Sequence, residues 1–314
     1  MESGGTLARA FDFAVGDLEV GGRPPAVEVL RGCSAFFSCD AEAVARLLPS
    51  DRLHPLRWTR TRTLVMVLGG IYDVHYGALP SFRVGELLLA AFVTYGPEPA
   101  PPLMPLAGST RSEPNRWGAG GVILALGVTS WIRREMFRKV FGWPCLVTDI
   151  RYEQRPGFDQ VTCEQDGELL FGLRVRTGAT PKPSTTGHCL YGIRDNRLLL
   201  WSETESSIAE TRTGRAAAQA VAGDHPLGDM IRSLKLSRRP LTTTVAHHVD
   251  SRPSPSPLIL GEAHLVDPPG SHARATGRLL VSDTHQALHE VDQGLGRLPF
   301  DPAADIVPAA RLNT

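Results

Sequence analysis

Apolar residues along most of the chain occur in short runs or at every second position, and turn residues separate these segments. Such a pattern is typical of β-strands, in which successive side chains point to opposite faces. The segments predict strands at residues 27–30, 63–69, 86–95, 121–127 and 145–153. Later strands are expected at residues 241–249, 257–266 and 276–281. The pattern therefore predicts a protein built mainly from β-sheet.

Two pairs of strands are predicted to form hairpins. Asp166-Gly167 separates residues 158–163 from residues 168–176, in which every second residue from Leu169 is apolar. Asp-Gly is a favoured pair in tight turns between antiparallel strands. Asp195-Asn196 separates HCLYGIR from RLLLWSE in the same way.

Apolar residues spaced three or four apart predict only a few helices. The residues expected to begin three of them are Asp40, Thr129 or Ser130, and Pro226. Residues 206–222 and 283–291 are also expected to be helical. With so few helices beside so many strands, the fold class is α+β and β-rich.

Composition narrows the possible partners. The 314 residues carry 33 Lys and Arg against 33 Asp and Glu, and this balance argues against nucleic acid or an anionic membrane as a partner. The longest uncharged stretch, residues 118–132, is shorter than the ~20 residues of a membrane helix, and the N-terminus lacks a signal-peptide pattern. Five cysteines without metal-binding spacing indicate reduced thiols. We expect a cytoplasmic protein.

Two sequence motifs are better explained by structure than by chemistry. The glycines at residues 118–121 precede an apolar run and do not join a strand to a helix, so a turn is favoured over a phosphate-binding loop. His247 and His248 are neighbours in a predicted strand and should point to opposite faces, which prevents them from binding one ion. No metal and no cofactor are predicted.

The segment WIRREMFRKVFGWPCLVTDI, residues 131–150, is the most informative, because a predicted helix ends in Phe-Gly-Trp-Pro and leads directly into a strand. Together with AFFSCDAEAVARLLPSDRL at residues 35–53 and RVGELLLAAFVTYG from Arg83, it resembles the acetoacetate decarboxylase-like superfamily. The later segments IRSLKLSRRP and PLILGEAHLV are consistent with this resemblance, which covers residues 24–290.

The resemblance implies a curved, cone-shaped β-barrel around a central pocket, with a few peripheral helices. It also implies a division of the chain into an N-terminal extension at residues 1–23, the barrel domain at 24–291, and a C-terminal tail at 292–314.

The chain departs from the family at the residues that carry the family's chemistry. Family members form a Schiff base on a lysine just after the proline of this motif, with a second lysine beside it to lower its pKa. Here a gapless match places Cys145 and Leu146 at those positions. Glu135 stands four residues before Lys139, which is the favourable spacing for an exposed ion pair. The only lysines of the chain are Lys139, Lys182 and Lys235.

Candidate site residues follow from the resemblance and the strand pattern. Glu86 matches the family's pocket glutamate, and a buried carboxyl group would suit general acid–base catalysis. Asp73 is a second catalytic candidate, for proton transfer, and Arg31 is a third, for pairing with a carboxylate or enolate. Cys145 is also a catalytic candidate, as a nucleophile whose pKa a nearby cation would lower, and it is expected to line the pocket in either case. The expected substrate-binding residues are Tyr72, His75, Arg138, Trp143 and Lys139.

These observations favour a cofactor-free enzyme that acts on a carbonyl-rich natural-product intermediate, polyketide-like or derived from a keto acid. Cyclisation, dehydration or isomerisation without a Schiff base is the expected chemistry. One alternative is a Schiff-base decarboxylase or aldol-dehydratase that uses Lys139, and another is a non-catalytic protein that binds a hydrophobic ligand. The expected partner is a small carbonyl compound, and the resemblance implies a homo-oligomer.

Overall fold

Strands account for most of the chain that the structure, a computed structural model, describes: residues 26–75, 81–100, 118–214, 216–254 and 256–265. The strands are β1 (Ala26–Asp40), β2 (Leu53–Pro55), β3 (Arg62–His75), β4 (Phe82–Tyr95), β5 (Gly120–Val128), β6 (Leu146–Val147), β7 (Asp149–Arg155), β8 (Phe158–Gln165), β9 (Glu168–Arg176), β10 (Lys182–Arg194), β11 (Arg197–Thr213), β12 (Ala218–Ala222), β13 (Thr242–Pro253) and β14 (Leu258–Glu262). The helical elements are α1 (Ala41–Ala45), α2 (Trp131–Met136), a π-helical turn (Phe137–Phe141) and α3 (Pro226–Ser233).

Seven strands close into a barrel in the order β4, β3, β1, β13, β11, β10, β5 and back to β4. All neighbours in this ring are antiparallel except β10 and β5, which are parallel. Strands β2, β6 and β14 pair with β4, β5 and β11 respectively. The predicted β-rich class with a barrel and few helices is confirmed.

A four-stranded antiparallel sheet, ordered β12, β9, β8, β7, packs against the outside of the barrel. Its buried Val161 and Leu173 belong to one apolar cluster with Cys33, Ala35 and Leu87 of the barrel strands. This cluster is the core between the two sheets.

A second apolar cluster lies inside the barrel. It includes Tyr72, Leu126 and Trp201 from the strands, together with Met136 and Phe137 from the helical segment. The alternation of side chains along β4 explains both clusters, because odd-numbered residues near its middle face the four-stranded sheet and even-numbered residues face the barrel interior.

The helices begin where the sequence predicts. The side chain of Asp40 accepts hydrogen bonds from the first turn of α1, and Ser130, one of the two residues predicted to begin α2, caps that helix. Pro226 is the first residue of α3. The π-helical turn ends at Gly142, whose φ of 70° is in the left-handed region that favours glycine.

One predicted helix is wrong. Residues 206–213 belong to β11, and Ala218–Ala222 form β12, whose partners are Val175 to Phe171 of β9. Sheet pairing therefore overrides the helix propensity of this alanine-rich stretch. Both predicted hairpins are confirmed, since Asp166-Gly167 and Asp195-Asn196 turn with positive φ angles. The predictions for residues 276–281 and 283–291 lie outside the described residues.

No helix among the described residues is both long and apolar enough to cross a membrane.

Candidate active site

A buried ion pair joins helix α2 to the barrel interior. Arg133 Nε donates a hydrogen bond to Glu86 Oε1 at 2.6 Å, and each side chain is only 6% exposed. The guanidinium also lies 4.2 Å from the centroid of the Phe137 ring, and its Nη1 lies 3.6 Å from Met136 Sδ. The carboxylate that the resemblance singled out is therefore buried in the barrel, and its partner is an arginine from the helix.

Sequence reasoning did not identify Arg133. The gapless match aligned Arg138 with the family's arginine, but Arg138 lies in the π-helical turn and is partly exposed. A π-helical turn contains an extra residue per turn and so shifts the buried face of the helix. The available signal was spacing, since Arg133 precedes the apolar residues Met136 and Val140 by three and seven positions and thus lies on their face.

Tyr72 and Cys145 lie in the interior near this ion pair and are almost fully buried. Burial, followed by the negative charges of Glu86 and Glu205, raises the pKa of the Tyr72 hydroxyl well above its usual value. Burial, followed by the charge of Glu86, likewise raises the pKa of the Cys145 thiol. Cys145 is therefore a protonated thiol at neutral pH and does not have the thiolate character of a nucleophile.

A second polar group faces the barrel interior from β10, β11 and β13. His188 lies two positions before the inward-facing Leu190 of β10 and so points to the same face. Glu203 and Glu205 follow the inward-facing Trp201 at every second position of β11 and also point inward. His188 Nε2 lies 2.9 Å from Glu203 Oε2. The Ser251 hydroxyl donates to the other oxygen of that carboxylate. Sequence reasoning missed this group.

Burial and neighbouring charges shift two pKa values in the second group. Burial opposes a charged imidazole, but the hydrogen bond to Glu203 and the charges of Glu203 and Glu205 outweigh it and raise the pKa of His188. Burial, with a further contribution from the charge of Glu203, raises the pKa of Glu205 although His188 lowers it. Two groups on the neighbouring strands β10 and β11 thus have pKa values raised by their surroundings, as is common at functional sites.

No family model matches the chain, and no curated protein sequence matches it. Solved structures do match. The enduracididine biosynthesis enzyme MppR, in complex with the condensation product of pyruvate and imidazole 4-carboxaldehyde, superposes with a TM-score of 0.52 and 14% identity over 76% of this chain and 90% of that one. A structure of acetoacetate decarboxylase gives a TM-score of 0.51 and 9% identity over 77% of this chain and 92% of the other. The chain has the acetoacetate decarboxylase-like fold.

Three of the predicted site residues lie on strands of this acetoacetate decarboxylase-like barrel but do not face its interior. Arg31 is exposed at a β-bulge, where its Nη1 lies 3.3 Å from His247 Nδ1. Its positive charge partly opposes the rise that burial causes in the pKa of Tyr152, a residue of the four-stranded sheet. Asp73 alternates with the inward-facing Tyr72 and accepts two hydrogen bonds from Arg83, at 3.0 and 3.2 Å. His75 is exposed at the end of β3. The structure therefore does not bring these residues together with Glu86.

The remaining predicted residues lie in the helical segment and the strand that follows it. Trp143 is a core residue, because its indole N–H donates to the Tyr191 carbonyl at 3.1 Å and its ring stacks on Phe141. Lys139 Nζ lies 3.5 Å from Glu135 Oε2, as the spacing predicts, and its side chain is 51% exposed.

All three lysines of the chain are exposed, at positions 139, 182 and 235. The described residues contain no cluster of three or more His, Cys, Asp or Glu side chains arranged to hold a metal ion. His247 and His248 contact different carboxylates, those of Glu210 and Glu28. The polar groups that the described strands and helix α2 direct into the barrel thus include carboxylates, an imidazole, a phenol and a paired guanidinium, but no lysine amine.

Proposed function

We propose that this chain is an enzyme that binds a small carbonyl compound inside the barrel and transfers protons on it without forming a covalent intermediate. One contrast carries this proposal. Every lysine of the chain is exposed, whereas the barrel interior holds Glu86, Tyr72, His188, Glu203 and Glu205. Carboxyl and imidazole groups are the usual carriers of protons in enzyme sites.

The proposed reactions are the cyclisation, dehydration or isomerisation of a natural-product intermediate. Each of them begins with removal of a proton beside a carbonyl group, and each is promoted when a protein encloses and orients a flexible substrate. MppR, which shares this fold, has been described with a condensation product of pyruvate and an aldehyde in complex. This analogy at the level of the fold favours a carbonyl compound as the substrate here.

Lys139 does not suit the alternative Schiff-base mechanism. A Schiff base forms from a neutral amine, and burial or a neighbouring cation is what makes a lysine neutral. Lys139 is half-exposed and pairs with the carboxylate of Glu135. Its surroundings therefore provide solvent and an anionic partner instead, and covalent catalysis is not part of the proposal.

Exchange of methyl protons in D2O tests the proposal without knowledge of the natural substrate. Hydroxyacetone is a small neutral ketone, and an enzyme that enolises carbonyl compounds should replace its methyl protons with deuterium, which NMR detects. We expect the wild-type protein and the lysine-free variant Lys139→Arg/Lys182→Arg/Lys235→Arg to exchange these protons at equal rates. Borohydride treatment should leave no adduct on either protein.

Two results would oppose the proposal. Loss of exchange in the lysine-free variant, accompanied by a borohydride adduct on the wild type, would establish amine catalysis. Tight binding of carbonyl compounds with no exchange above the buffer rate would instead favour the non-catalytic binding protein.

A further inference from the structure

We propose that His188, positioned by Glu203, is the catalytic base of the barrel site, and that its substrate is a carbonyl compound without negative charge. This inference rests on the proposed function and adds to it the residue that moves the proton and the charge class of the ligand.

The hydrogen bonds of the group determine which imidazole nitrogen is available. An ionised carboxylate only accepts hydrogen bonds, so the bond between His188 Nε2 and Glu203 Oε2 requires the proton to lie on Nε2. Nδ1 then carries the lone pair, and no described residue donates a hydrogen bond to it. Because Ser251 donates to the second oxygen of Glu203, the carboxylate is held from both sides. This is the arrangement of a base with a group that orients it.

His188 and Glu203 are more accessible to a ligand than Glu86 is. The side chains of His188 and Glu203 are 35% and 22% exposed, whereas those of Glu86 and Arg133 are each 6% exposed. The Glu86 carboxylate is moreover already engaged in a hydrogen bond with the Arg133 guanidinium. A ligand can therefore reach the imidazole more readily than the buried Glu86 carboxylate.

The proposed proton transfer uses His188 as the base and Glu205 as the acid. Nδ1 of His188 takes a proton from the carbon next to the carbonyl group, and the electron pair of the broken C–H bond moves into the new C=C bond while the carbonyl π electrons move to oxygen. The carboxyl group of Glu205, two positions from Glu203 on the same face, gives a proton to that oxygen when it carries one; burial favours this protonated form. The product is an enol, and the reverse steps at another carbon complete an isomerisation without any oxidant or reductant.

The charges in the barrel determine the class of ligand. Arg133 is paired with Glu86, and His188 is paired with Glu203. The remaining carboxyl, that of Glu205, has no hydrogen-bond or ion-pair partner among the described residues. A substrate carboxylate would meet paired cations and, once Glu205 ionises, an additional negative charge. Like charges brought together at a binding site strongly disfavour a ligand, so a neutral or cationic carbonyl compound is favoured over a keto-acid anion.

The charged groups that face His188 come from one neighbouring strand. They are Glu203 and Glu205 of β11. Strand β5, on the other side of β10, contributes no titratable residue between Gly120 and Val128, and β13 contributes the hydroxyl of Ser251. Glu203, which is hydrogen-bonded to His188, should therefore determine the position of the acidic limb of the pH profile.

The test compares variants in the same exchange reaction with hydroxyacetone. His188→Asn should lower the exchange rate by about 10²- to 10⁴-fold, the usual contribution of a general base. The matched control is His225→Asn, which replaces the cap of α3 with another good capping residue and lies outside the barrel site. It should exchange at the wild-type rate. Thermal unfolding of both variants verifies that they are folded.

Glu203→Gln gives a readout that loss of structure would not mimic. The neutral imidazole is the active form, and the Glu203 carboxylate stabilises the protonated form. Without that charge the imidazolium forms only at lower pH, so the acidic limb of the rate profile should move to lower pH while the plateau rate falls. Glu203→Asp, which keeps the charge, should restore the limb toward its wild-type position. An unchanged limb in Glu203→Gln would overturn the assignment.

Pyruvate tests the ligand class, because it replaces the hydroxymethyl group of hydroxyacetone with a carboxylate. We expect its methyl protons to exchange at least about tenfold more slowly, because repulsion between like charges should weaken its binding. Faster exchange of pyruvate would overturn this part of the inference. Exchange by wild type that survives in His188→Asn would overturn the base assignment but leave the proposed function intact, whereas no exchange by wild type would reject the proposed function itself.

Discussion

Replacement of Arg133 by methionine tests the buried ion pair, which is the feature that fixes helix α2 to the barrel. Arg133 Nε and Glu86 Oε1 are 2.6 Å apart and both side chains are 6% exposed, so the substitution leaves the Glu86 carboxyl group buried and without this partner. Removing one partner of such a pair destabilises a protein by about 3–5 kcal/mol. Because a domain of this kind is stable by only about 5–15 kcal/mol, the loss should be large enough to measure easily.

Urea unfolding at pH 7 measures the effect. The matched control is Arg155→Met, which breaks an ion pair with Glu153 in which the arginine is 60% exposed. That change should cost at most about 1 kcal/mol. The double variant Glu86→Gln/Arg133→Met removes both charges and should recover most of the lost stability, since no unpaired charge remains. If Arg133→Met cost no more than the surface control, the buried pair described here would be refuted.

Three further predictions concern buried thiols, a carboxyl group and a close backbone contact. All five cysteines are buried, so iodoacetamide at pH 8 should leave Cys145 and the other four unlabelled until the protein is unfolded in urea, and rapid labelling of Cys145 would contradict its raised pKa. The raised pKa of Glu205 means that ionisation of this group opposes folding as the pH rises above the ordinary value of 4.5. Glu205→Gln should therefore be more stable than wild type at pH 8 and equally stable at pH 4. The control is Glu168→Gln, at an exposed position. A Cβ atom at Gly192 would overlap the Phe141 carbonyl oxygen, so Gly192→Ala should lower the unfolding free energy by about 1–3 kcal/mol or more, whereas Gly96→Ala, at an open position, should change it little.

The strands, hairpins and helix starts could be predicted because they depend on local patterns. Alternation of apolar residues and the turn residues Asp166-Gly167 specify a hairpin whatever lies around it. The prediction was wrong for residues 206–222, where pairing with β9 and β13 decides the structure. Such pairing joins residues that are distant in sequence, and propensity does not contain that information.

The candidate site was predicted only where a strand has regular alternation. Glu86 and Tyr72 lie in the interior, as regular strands place them. Arg31 lies next to a bulge that changes the register of β1, so its side chain could not be placed from the sequence. Arg133 was missed because the π-helical turn shifts the helix face, and His188 because its partner Glu203 lies on the neighbouring strand of a long hairpin.

The rate of methyl-proton exchange in hydroxyacetone, measured side by side for wild type, the lysine-free variant and His188→Asn, tests the central claim most directly. The account predicts equal rates for the first two proteins and a rate reduced at least about a hundredfold for His188→Asn. Loss of exchange in the lysine-free variant with full activity in His188→Asn would contradict it, because the chemistry would then belong to an exposed amine and not to the interior of the barrel.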